Sequence, residues 1–106
     1  MKAKGYDTTQ GFVVQSGSFA AREHVPSLEQ HVPSVYKVRE DLKASGVLVP
    51  DTAKDALRFS QDYTFTSSSL ASSVVLGRSS NGREYWKTES GKSLKQIQEE
   101  EAKRPA

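Results

Sequence analysis

Five cations, Arg78, Arg83, Lys87, Lys92 and Lys95, fall within residues 76–95 beside the adjacent aromatics Tyr85 and Trp86. Only Glu84 and Glu89 oppose them there, which leaves a local charge of +3. Cations of this kind contact backbone phosphate, and an aromatic face between them stacks on a base. The residues expected to bind nucleic acid are therefore Arg78, Arg83, Tyr85, Lys87, Lys92 and Lys95. The bland alternative is a half-buried aromatic pair among ordinary surface charges, because even non-specific DNA contact needs several cations converging on one face. Lys37, Arg39 and Lys43 form a second cationic group, interrupted by Glu40 and Asp41 and read as a solvated helix face.

Other chemistries are poorly supported. His24 and His31 lie near Glu23 and Glu29, types that bind zinc, but in a proline-containing loop with no third strong ligand at short spacing; no metal site is expected. Asp51 with Glu101 and Lys103 formally fits the acid and lysine set of a magnesium-dependent nuclease, yet the second half falls in a charged tail rather than on an adjacent strand. Serines are abundant, but no Gly-x-Ser-x-Gly elbow is present, and only the two loop histidines offer a base. The expectation is a non-catalytic protein with no cofactor.

These residues need a scaffold. The 106 residues suit a single domain. With 35% hydrophobic residues and a mean hydropathy of −0.64, the core should be small. A net charge of +2 is too small to imply nucleic acid by itself. The sequence contains no cysteine, which excludes disulfides, thiolate metal sites and cysteine nucleophiles. It also contains no apolar run near the roughly 20 residues that span a bilayer, so a cytoplasmic protein is expected.

Phe12-Val13-Val14-Gln15 reads as a strand, with Phe19-Ala20-Ala21 as the returning arm of a hairpin across Gly17-Ser18. Residues 22–34 carry His-Val-Pro-Ser twice and read as a loop. Val35, Val38 and Leu42 predict a helix capped by Ser34 and ended by Gly46. Val47-Leu48-Val49 predicts a buried strand closed by Pro50-Asp51. Leu57, Phe59, Tyr63 and Phe65 share one parity in an extended stretch that breaks near Gln61-Asp62. Leu70, Ala71, Val74 and Val75 predict a second helix, capped by Thr66 or Ser67, ended by Gly77 and carrying its serines on the surface.

Asn81-Gly82 predicts a tight turn with positive φ, whose N–H groups can also cradle an anion. The turn leads into a strand over Tyr85-Trp86-Lys87-Thr88, in which Trp86 packs inward while Tyr85 and Lys87 point the other way. Ser90-Gly91-Lys92 reads as a turn, and Ser93 caps a helix carrying Leu94 and Ile97. Residues 1–98 are expected to form the domain and Glu99 to Ala106 a charged, fraying tail.

The succession Gly11-Phe12-Val13-Val14, Gly17-Ser18, Arg39-Glu40, Ser45-Gly46-Val47-Leu48, Asp62-Tyr63-Thr64-Phe65, Leu76-Gly77-Arg78, Asn81-Gly82, Trp86-Lys87 and Gly91-Lys92 resembles the domain-of-unknown-function 4357 family across nearly the whole chain. Its Ser-x-Ser-x-Ala, Asn-Gly and Trp elements are also similar, more weakly, to the RAMA domain associated with restriction and adenine methylation. The chain differs from the family pattern at Ser68, where proline is usual, at Ser72, where alanine is usual, and at Arg83, where an aromatic residue is common. Members are often fused behind GIY-YIG nuclease domains or stand alone in bacterial proteins, so the resemblance implies an accessory role near nucleic acid and supplies no catalytic residues.

The expected fold is a small α+β domain, a mixed or mostly antiparallel sheet packed with two core helices and a C-terminal helix. Its expected function is a non-catalytic DNA-binding module associated with nuclease or restriction-type systems. The alternative is a protein-interaction or homodimerisation module, docking through the serine-rich second helix or an exposed strand edge.

Overall fold

A computed structural model describes Lys2–Lys103. The protein is an α+β domain, with two antiparallel three-stranded sheets among the described residues. The first has the order β1-β2-β6, built from Gly5–Thr8, Gly11–Val14 and Tyr63–Phe65. The second has the order β3-β5-β4, from Phe19–Ala21, Ala56–Phe59 and Leu48–Asp51. Each central strand carries the most apolar run: Phe12, Val13 and Val14 in β2, and Ala56, Leu57 and Phe59 in β5, are buried. Phe59 and Phe65 meet edge to face at 6.2 Å and join the two sheets through their side chains.

The hairpin expected across Gly17-Ser18 does not form. The chain changes sheets there: β2 pairs with β1 and β6, and β3 pairs with β5 through Phe19↔Arg58. Asp62 Oδ1 accepts from Ser16 N at 2.7 Å, and Gly17, at φ 86°, takes the bend. The N-terminal strand β1 has no counterpart in the sequence reading. It is polar and largely exposed, so it lacks the apolar alternation that marks a strand. β4 runs through Pro50, which an edge strand tolerates because its outer side needs no donor.

One turn of helix, α1 (Leu28–His31), occupies the expected loop. The long helix α2 (Pro33–Ala44) starts at Pro33 with Val32 as its N-cap, two residues before the expected cap at Ser34. Proline suits the first helical position because its φ is already set and its missing N–H would be unpaired there anyway. Ser67 caps α3 (Ser68–Leu76) by accepting from Leu70 N at 3.0 Å, and Gly77 closes it in the left-handed conformation at φ 69°. Both are as the sequence predicts. A Cβ at Gly77 would also lie 2.8 Å from His24 Cα, so two constraints require glycine there.

Two side-chain expectations are overturned. Arg39, read as solvated, is 0% exposed. Its Nη1 donates to the Val74 carbonyl and its Nη2 to that of Ala21 at 2.7 Å, so it holds the C-terminal end of α3 against α2 and β3. Burial lowers the guanidinium pKa, with Glu40 opposing that shift. Ser72 and Ser73, expected on the surface, are buried because each is satisfied internally. Ser72 Oγ donates to the Ser69 carbonyl at 3.1 Å, and Ser73 Oγ accepts from Ser80 N at 3.0 Å.

Candidate nucleic-acid interface

The strand expected at Tyr85 to Thr88 is replaced by a one-turn helix, α4 (Gly82–Tyr85). Asn81 is its N-cap: at φ −90° and ψ 103° it accepts from Arg83 N at 3.1 Å. Gly82 is not a positive-φ turn residue. It is glycine because a Cβ there would lie 2.1 Å from the Ser68 carbonyl carbon and 2.4 Å from Ser69 N. The N–H groups proposed as an anion cradle are occupied, Gly82 N by Ser69 Oγ at 3.0 Å and Arg83 N by Asn81.

Trp86 follows α4 and is 8% exposed. Its ring lies 4.6 Å from that of Phe12, and Nε1 donates to the Ser68 carbonyl at 3.0 Å. It packs inward, as expected, although from a helix end rather than a strand. What remains of the strand is a bridge between Lys87 and Ser93, closed by Thr88 N to the Lys92 carbonyl at 2.8 Å around Gly91. Helix α5 (Leu94–Ala102) begins with a full capping box between Ser93 and Gln96. It continues through much of the expected tail; Arg104 to Ala106 lie outside the described residues.

The six site residues separate into groups. Arg78, Arg83 and Lys87 are exposed and have no ion-pair partner among the described residues. Arg83 Nε donates to Gln98 Oε1 at 2.8 Å, which fastens its stem to α5 while its charge stays unneutralised. Lys92 pairs with Glu100 at 2.9 Å and Lys95 with Glu84 at 3.8 Å. Both pairs are exposed, and exposed pairs contribute at most about 1 kcal/mol, so either lysine is readily released to another anion.

Tyr85 ends α4, near Arg78. It is half-buried and meets Trp86 edge to face at 5.0 Å. Burial raises its pKa, and the nearby Arg78 cation partly offsets the rise. Glu99, Glu100 and Glu101 lie on α5, where Glu100 pairs with Lys92, and Glu84 and Glu99 line the same hollow as Lys87 and Lys95.

The remaining candidates stay apart. His24 packs edge to face on Tyr36, 5.3 Å between centroids, and places Nδ1 2.8 Å from the Val25 carbonyl. No group of three or more His, Asp or Glu among the described residues is arranged to hold a metal ion. Asp51 ends β4 while Glu101 lies in α5, so the formal nuclease set is split between a sheet edge and a terminal helix. No helix of the described residues is long and apolar enough to cross a membrane.

The sequence reading missed the groove beside β1, whose walls include Tyr6, Trp86 and Lys87. Its one legible signal is Tyr6, an aromatic residue in an otherwise polar N-terminal segment.

Searches of curated proteins and of solved structures returned no match. A family model described as "Domain of unknown function (DUF4357)" matches residues 1–98. That span runs from β1 into α5 and includes the Gly82–Ser68 contact, the buried Trp86 and the Gly77 stop, and on it the chain belongs to the DUF4357 family.

Proposed function

We propose that this chain is a non-catalytic accessory module that docks onto nucleic acid, with DNA the leading partner, in the cytoplasm and beside nuclease or restriction-type enzymes. The observation that carries the reading is the set Arg78, Arg83 and Lys87, three exposed cations without a carboxylate partner among the described residues: Arg83 and Lys87 each stand two residues from the half-buried Tyr85 in the sequence, and Arg78 is near enough to oppose its pKa rise. The phosphate backbone is the common anion that such a cluster fits, and no base contact is needed for it to dock. The fusion of family relatives to GIY-YIG nuclease domains, noted with the resemblance, supports the same reading by association.

Three phosphate contacts give a weak, salt-sensitive interaction. On a single strand each contributes about −0.7 to the slope of log affinity against log salt concentration, so a total near −2 is expected. Fluorescence anisotropy of a labelled oligonucleotide across a salt series tests this. In R83A/K87A the slope should flatten by about one unit or more while the protein remains folded. An unchanged slope contradicts the reading.

The burial of Ala71 to Val75 within the domain favours this reading over a protein-interaction module docking through α3.

A further inference from the structure

A groove of about 560 Å³ is bounded by β1, the segment 86–89 and the start of α5, and Lys87 is part of its wall. Trp86, Leu94, Ile97 and Tyr6 supply its apolar lining. Tyr6 is 48% exposed, one of two large hydrophobic side chains left exposed among the described residues, so packing within this domain gives it no role. Trp86 is held from behind by Phe12 and the Ser68 carbonyl, which makes that wall rigid.

The charges select the occupant. Lys4 and Lys87 line the groove, and Asp7 and Glu89 line it too. Cancelling charges do not suit a phosphate chain lying along the groove. They suit a flat, neutral group that carries amino donors and arrives attached to a phosphate: the carboxylates accept from the exocyclic amine, and a lysine takes the phosphate. An unstacked base fits that description. Lys87 belongs both to this wall and to the docking surface, so a phosphate held there delivers its base to the groove.

We propose that the groove receives one unstacked base of a single-stranded nucleic acid, stacked on Tyr6, with the adjoining phosphate on Lys87. The proposal rests on the phosphate-docking reading and adds a preference for single strands, because a paired base must first be extruded at a cost. Stacking on one aromatic residue contributes about 1 to 3 kcal/mol, and 1.4 kcal/mol corresponds to a tenfold change in affinity.

The test compares an eight-nucleotide oligocytidine with an abasic strand of equal length and charge, at low salt, against the wild-type chain, Tyr6→Phe and Tyr6→Ala. The expected result is about tenfold tighter binding of oligocytidine by the wild type and by Y6F, and loss of that preference in Y6A with its salt slope intact. Equal affinity for the two strands, with salt dependence retained, overturns the base slot and leaves the docking surface standing. Loss of the preference in Y6F as well overturns stacking as its cause. No binding of either strand at low salt overturns both proposals.

Discussion

Trp86 donates its indole N–H to the carbonyl of Ser68 at 3.0 Å, and this bond fixes the cationic segment to the start of the core helix α3. The approach depends on Gly82, which lies against the same Ser68 backbone, and on Ser69 Oγ, which accepts from Gly82 N. Ser68 is the first residue of α3, a position where helices favour proline. Serine serves equally well there for this contact, which uses the backbone carbonyl that any residue supplies.

Gly82→Ala should be costly although the residue sits on a short, peripheral helix. The added methyl meets backbone rather than a flexible side chain, so overpacking of about 2 to 3 kcal/mol is expected. Urea unfolding followed by Trp86 fluorescence measures it, and a loss under 0.5 kcal/mol would contradict the close packing.

Arg39→Ala should destabilise the domain by about 3 kcal/mol or more, since it leaves the Val74 and Ala21 carbonyls without their donor and opens a cavity. Arg39→Lys should fall between, because one ammonium cannot present the guanidinium fork to both carbonyls. Thermal unfolding of the two variants gives the order.

Tyr85 supplies a pH test. Burial raises the folded pKa above the ordinary value of 10.0. The stabilisation from the neutral phenol is fully present below the unfolded pKa and is lost as pH rises through the folded one. The stability difference between wild type and Y85F should stay constant up to about pH 10 and shrink above it. Denaturant unfolding of both proteins between pH 8 and 11 reads this, and a constant difference across that window would contradict the burial of the hydroxyl.

Ser93→Ala removes one half of the capping box and should cost about 1 kcal/mol. Amide exchange should quicken in α5 while that of α3 is unchanged.

Signals local in sequence were legible. The Ser67 cap, the Gly77 stop, the Ser93 cap and the α+β class follow from neighbours within a few residues, and each is found. Features set by distant partners were not. Arg39 reads as solvated because its carbonyl acceptors lie 18 and 35 residues away, and Ser73 reads as surface until Ser80 folds back onto it. Asn81-Gly82 looks like a turn because the pair favours positive φ, whereas Gly82 is demanded by a helix 13 residues upstream. At the candidate interface the composition of the cluster was readable, but its division into free and paired cations was not, since Glu100 pairs with Lys92 only once α5 forms.

The most direct measurement is an amide NMR titration of the labelled chain with a short single strand and its duplex, at low and then physiological salt. The account predicts shifts concentrated at residues 78–87, extending to Tyr6 with the single strand and weakening as salt rises. No shifts at low salt, or shifts confined to the β3-β5-β4 sheet, would contradict it.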